Sequence, residues 1–175
     1  FMYLFNKTKI ASLMIMVASV FSLQAQDKSI KQTNPLLKKS TLQYQAPRFD
    51  LIKDEHFKPA FEYALKLNEA EIEKIANNKS KPTFQNTVLA LELCGQDLTR
   101  VRSIFFKLTS ANTNPTLQAI EEEFAPKLSA HNDKILLNSK IYKRIKSIKL
   151  DSLKGEDKRL TEYYLQYFEL AGANL

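Results

Sequence analysis

Residues 82–108, "PTFQNTVLALELCGQDLTRVRSIFFKL", restrict the fold more than any other stretch of the chain. Phe84, Val88, Leu91, Leu98, Val101, Phe105 and Leu108 recur at steps of three, four or seven. That spacing puts them on one side of an α-helix, whereas a half-buried strand would need strict alternation. Thr83 is placed to cap the helix start with its hydroxyl. A stripe of this length is stable in water only when other elements cover it. Gly95 stands on the stripe where a large side chain belongs, and inside a helix it costs up to about 1 kcal/mol against Ala. The compensation expected is close approach of a neighbouring backbone.

The same period recurs on both sides. Phe57, Phe61, Ala64, Leu65, Ile72 and Ile75 predict a helix that tolerates Pro59 because it falls in the first turn. Asn114 before Pro115 reads as a cap and first-turn proline for a third helix carrying Leu117, Ile120, Phe124, Leu128 and Ile135. Pro126 inside it predicts a kink. A fourth helix is predicted from Ser139 to about Leu150. A fifth runs from Gly155 to about Ala171, with Leu160, Tyr163, Tyr167 and Leu170 on its packing side and Gly172 as its C-terminal cap. Only 3 glycines occur in 175 residues, which disfavours a turn-rich sandwich or barrel. The fold class is all-α: an array of about five helices.

An extended arm precedes that array. In "NPLLKKSTLQYQAPRFDLI", Pro35 and Pro47 bias the residues before them toward extended backbone. Leu36, Leu37, Leu42, Tyr44, Phe49 and Ile52 follow no helical period. An arm of this kind cannot bury its own apolar side chains and must lie against another surface.

Residues 1–25 read as a secretory signal peptide: Lys7 and Lys9 precede an uncharged apolar run over 10–23, and Ala25 closes it. That run is shorter than the roughly 20 residues needed to span a bilayer. Residues 26–33 read as a polar linker and 34–175 as the helical region. Export, to the periplasm of a bacterium, is the implied destination. Cys94 is the single cysteine, so no internal disulfide is expected and stability must come from packing. The lysines between Lys140 and Lys154 could attract nucleic acid or anionic lipid. They interleave with Ile141, Ile145 and Ile148, which assigns them to the wet face of a helix.

Catalytic chemistry is absent from the pattern. The two histidines, His56 and His131, fall in different helices far apart in the chain, and neither has a zinc-binding partner at helical spacing. Asp133 points away from His131, and Glu121–Glu123 cover most of a helix circumference as a solvated run. Nothing near Cys94 would activate it as a nucleophile. No catalytic, cofactor-binding or metal-ligating residue is assigned in this sequence.

Three stretches carry a resemblance: "NPLLKKSTLQYQAPRFDLIKDEHFKPAFEYAL" (34–65), "PTFQNTVLALELCGQDLTRVRSIFFKLTSANTN" (82–114) and "RLTEYYLQYFELAGANL" (159–175). In this order they resemble the N-terminal region of the thimet oligopeptidase family of zinc metallopeptidases, on its bacterial peptidyl-dipeptidase side. The resemblance implies a helical enzyme whose two lobes flank a deep channel that admits short peptides. It also implies release of dipeptides from the C-terminus of oligopeptides, with zinc held by two His and a Glu and a second Glu as general base. Those groups belong to a later part of the family's sequence, so none is carried onto this chain. Phe1 before Met2, and an end at Leu175 where the family continues into more helix, fit a piece of a longer protein that is inactive by itself. The expected partners are short peptides for the parent enzyme, with no nucleic acid and no stable membrane insertion. The other reading of the residues is a complete, non-catalytic exported module that binds a peptide or protein through its apolar arm.

Overall fold

The computed structural model describes residue 27 and residues 29–173. The expected signal segment, 1–25, lies outside the described residues. The all-helical expectation is borne out, and among the described residues there is no strand. Residues 29–33, within the expected linker, have helical backbone. The arm follows with short 3-10 turns at Pro35–Leu37, Gln43–Gln45 and Asp54–His56. Helix α1 is Phe57–Ala76; a π-helical turn at Phe84–Val88 leads into α2, Leu89–Leu93. Then come α3 (Gln96–Ala111), α4 (Pro115–Leu136), α5 (Ser139–Lys146) and α6 (Gly155–Leu170).

Side chains near the helix starts satisfy backbone donors that the helices leave open. Thr83 Oγ1 accepts from the Asn86 N–H at 3.2 Å. Asn114 Oδ1 accepts from Leu117 at 3.0 Å, with Pro115 in the first turn. Asn138 Oδ1 receives the N–H groups of Lys140 and Ile141. Helix α4 runs through Pro126 without ending. At the far end of α6, Gly172 takes φ 96°, a left-handed value that favours glycine. Its N–H donates to the Glu169 carbonyl, and Ala173 donates to Phe168, each at 3.0 Å. This double bond pattern is a Schellman cap, as Gly172 predicts.

The long helix expected over 83–108 is two helices. Cys94 is extended and Gly95 is left-handed at φ 68°, so the chain turns between α2 and α3. Each half then serves a different core. The first core gathers Leu36 and Leu37 of the arm, Phe57, Ala60, Phe61 and Ala64 of α1, Leu98, Val101, Ile104 and Phe105 of α3, and Leu117, Ile120 and Phe124 of α4. The second is built from Ile72 and Ile75 of α1, Phe84, Val88 and Leu91, Ile141, Tyr142, Ile145 and Ile148, and Phe168 of α6. Helix α1 is shared by both.

Two further expectations need correction. The fourth helix is shorter than predicted and stops at Lys146. Lys149 is extended (φ −75°, ψ 104°), and a separate 3-10 turn at Leu150–Ser152 follows. On α6 only Leu160 of the expected packing set meets the second core, and the other three face outward. Tyr163, Tyr167 and Leu170 are 55%, 40% and 79% exposed, while Thr161 and Phe168 are buried. The helix carries apolar residues on two sides, and the side holding Phe168 meets the second core.

Candidate functional site

The arm is held at both ends, by Leu36 and Leu37 at its start and by Ile52 against the same core at its finish, and is exposed in between. Leu36 and Leu37 are buried in the first core, and Asn34 locks the approach. Asn34 Oδ1 accepts from the Leu36 N–H at 3.0 Å, and its Nδ2 donates to the His56 carbonyl at 2.8 Å. Beyond this anchor, Leu42, Phe49 and Leu51 are about half exposed, and Tyr44 is 93% exposed. Tyr44 and Gln45 also hold left-handed backbone, φ 58° and 55°, which costs a non-glycine residue roughly 1–2 kcal/mol.

Between the arm and α3 lies a groove of about 410 Å³. Its floor is apolar, formed by Pro35, Pro47, Leu51, Ile52 and Ile104. Its rim is cationic, with Lys38, Lys39, Arg48 and Arg100, and no carboxylate lines it. Arg100 is already engaged: it donates to Asp97 at 2.8 Å and reaches the Leu36 carbonyl at 3.5 Å. Arg48 pairs with Asp50 at 2.5 Å. Lys38 and Lys39 have no ion-pair partner among the described residues. This groove is the candidate binding site, and the sequence did not reveal it. The arm's composition required a surface to lie on, but its exact line of contact depends on tertiary packing.

A second polar constellation sits at the α2–α3 turn, where the two cores meet. Asn68, 5% exposed on α1, lies within 2.8 Å of His131 Nε2 through its Oδ1. Its Nδ2 donates to Glu71 Oε2 at 3.3 Å, and the same carboxylate oxygen accepts the Gly95 N–H at 2.8 Å. A Cβ on Gly95 would stand 2.9 Å from Asn68 Nδ2. The close neighbour expected at Gly95 is therefore a side chain, held in place at both ends. Gly95→Ala combines a left-handed strain with this overlap and should lose about 2–4 kcal/mol of stability, read by urea unfolding. Loss below a few tenths of a kcal/mol would show that the turn re-forms around a side chain.

The titratable residues singled out in the sequence do not converge. Burial lowers the His131 pKa below its ordinary value, Glu69 opposes the shift, and Lys134 adds to it. His56 Nδ1 accepts from the Lys53 N–H at 3.0 Å. Burial raises the Cys94 thiol, and its Sγ donates to the Leu91 carbonyl at 3.0 Å. Cys94 is half-buried, which falls short of full core burial. Glu123 bridges Lys58 and Lys127, each at 2.7 Å. Among the described residues no three His, Cys, Asp or Glu side chains approach closely enough to hold a metal ion. The donors present do not fit a zinc site. No helix among them is long and apolar enough to cross a membrane.

The resemblance read from the sequence is borne out by its relatives, which are first of all peptidases. The particular relatives are dipeptidyl carboxypeptidases. Over 147 residues the chain is 46% identical to dipeptidyl carboxypeptidase of Salmonella typhimurium, a match covering 82% of this chain and 22% of that protein. It is 44% identical over 149 residues to dipeptidyl carboxypeptidase of Escherichia coli, covering 81% and 21%. Oligopeptidase A of Escherichia coli is more distant, 26% identical over 147 residues, covering 82% and 21%. The chain thus spans about a fifth of the length of the curated relatives it matches. No protein-family profile matches it.

Proposed function

We propose that this chain is part of an exported zinc peptidyl-dipeptidase, in which it forms a stretch of channel wall and holds none of the catalytic groups. The observation that carries the reading is the 46% identity to a dipeptidyl carboxypeptidase over 82% of the chain. In this reading residues 1–25 direct export, 26–33 join that leader to the body, and 34–175 are helical wall. Zinc and its ligands come from sequence outside this chain, and short peptides are the parent's substrates. The outward side of α6 supports the same view. Stacked Tyr163 and Tyr167 rings, 5.8 Å apart beside exposed Leu170, form an apolar strip suited to contact with further protein.

The complete reading frame, expressed and purified, should release dipeptides from the C-terminus of oligopeptides and lose this activity to a chelator. A stop codon directly after Leu175 in the intact gene would refute the reading, as would peptide hydrolysis by the 175-residue chain with bound zinc.

A further outcome concerns the chain alone. It should bind a hydrophobic dye or self-associate through the α6 strip, and Tyr163→Glu combined with Leu170→Glu should reduce both signals. Sedimentation and dye fluorescence provide the measurement. A monomer that excludes the dye would mean the strip needs no cover.

A second reading has a specific observation in its favour, the cationic-rimmed groove beneath the arm. It describes a non-catalytic exported helical module that binds a peptide or protein partner. Dipeptide release by the complete frame would remove it.

A further inference from the structure

We propose that the groove between the arm and α3 binds an extended peptide segment that presents an apolar side chain next to a carboxylate. Three features of the groove specify that chemistry. First, it accepts an apolar side chain, because Leu51, Ile52 and Ile104 line it together with Pro35 and Pro47. Second, its rim is positive. The two arginines are neutralised by Asp50 and Asp97, which leaves Lys38 and Lys39 as cations with no ion-pair partner among the described residues. An anion beside the apolar group would complete the charge pattern.

The third feature selects a peptide. Lys38 is extended at φ −102°, ψ 139°, and residues 39–41 enter no helix or ladder. Among the described residues, no protein acceptor meets the N–H groups of Lys39, Ser40 or Thr41. These residues border the groove. A strand-like ligand can therefore pair with the arm through main-chain hydrogen bonds while its side chains alternate between floor and rim. Lysine is a point charge on a flexible stem and imposes no bidentate geometry, so either a side-chain carboxylate or a chain-terminal one would serve. The inference stands independently of the parent's peptidase activity.

The test uses the full chain and labelled hexapeptides of alternating Leu and Glu, read by fluorescence anisotropy. One peptide is acetylated and amidated. A second has Gln in place of Glu, and a third has Gln with a free C-terminal carboxylate. The acidic amidated peptide should bind roughly tenfold tighter than its neutral counterpart, the effect of two exposed ion pairs, and less tightly as salt rises. Preference for the third peptide over the second would identify a terminal carboxylate as an accepted anion.

Lys38→Glu combined with Lys39→Glu should remove the preference for acid. Ser103→Trp, at an exposed α3 position on the groove wall, should block all the peptides without affecting the core. Circular dichroism confirms that each variant is folded. Equal affinity for acidic and neutral peptides, or binding undiminished by Ser103→Trp, would overturn the proposal.

Discussion

Arg144→Ala is expected to lower the midpoint of thermal unfolding by about 10 °C, a large effect for a residue in a lysine-rich surface helix. Arg144 is 8% exposed. Its NH1 donates to the carbonyls of Asn78, at 2.6 Å, and Ser80, at 3.2 Å. Its NH2 donates to Asn86 Oδ1 at 3.0 Å and Thr87 Oγ1 at 3.2 Å. One guanidinium therefore ties α5 to the loop after α1 and to the π-helical turn that opens the second core. Truncation removes the guanidinium donor from the Asn78 and Ser80 carbonyls and from Thr87 Oγ1 at once, while Asn86 Oδ1 keeps the Thr83 N–H. Hydrogen bonds to a charged group contribute about 1.5–3 kcal/mol each and do not add fully, so a loss of about 3–5 kcal/mol is expected. In a chain of this size, each kcal/mol shifts the midpoint by about 2–4 °C.

Arg144→Lys should recover only part of the loss, because an ammonium cannot place parallel donors on a carbonyl and a side-chain amide together. Lys143→Ala, one position away on the wet face, should stay within about 0.5 kcal/mol of the parent. Arg144→Ala melting like Lys143→Ala would mean that the loop is held by packing instead.

The contrast between Arg144 and its lysine neighbours marks where sequence reading reaches its limit. The apolar period over 139–148 placed Ile141, Ile145 and Ile148 inward, and all are buried. That period sets Arg144, three after Ile141 and four before Ile148, at the edge of the apolar stripe and away from Lys143 and Lys146, but it does not show what the guanidinium meets. Its role depends on loop carbonyls more than sixty residues earlier, brought near by the packing of α5 on the π-helical turn. Thr83, Asn114 and Gly172 were legible because a cap is a local bargain between one side chain and the backbone a few residues away.

Gly95 was only half legible. Its position on the stripe signalled something unusual, but the left-handed turn is set by Glu71 and Asn68 on another helix. The outward strip of α6 failed for a related reason. Leu160, Tyr163, Tyr167 and Leu170 have a good helical period, yet so do Thr161, Tyr164 and Phe168, and of the first set only Leu160 packs on the second core. Only the position of the second core decides which set is buried. The groove beneath the arm was not legible at all, since its floor combines residues of the arm with Ile104 of α3.

Phe105→Ala should be the most destabilising change in the first core, at about 3–5 kcal/mol. The ring is fully buried on α3 and meets Phe57 and Phe61 of α1 edge-on, with centroids 5.1 Å and 5.2 Å away. Phe106 approaches it at 5.3 Å, and Phe61 in turn stacks on Phe124 of α4 at 4.9 Å. Removing the Phe105 ring therefore exposes a void at the junction of α1 and α3 and also forfeits the edge-to-face terms, each worth about 0.5–1.5 kcal/mol. Phe105→Leu keeps much of the volume and should lose markedly less.

Paired with Arg144→Ala, this variant tests how the two cores are coupled, because each substitution acts on one of them. Helix α1 supplies Phe57 and Phe61 to the first core and Ile72 and Ile75 to the second without interruption. A continuous helix shared in this way should make the described helices melt together, so both variants should shift one and the same urea transition. Two transitions, with Phe105→Ala moving only one and Arg144→Ala only the other, would show that α1 yields near Asn68 and that the cores open separately.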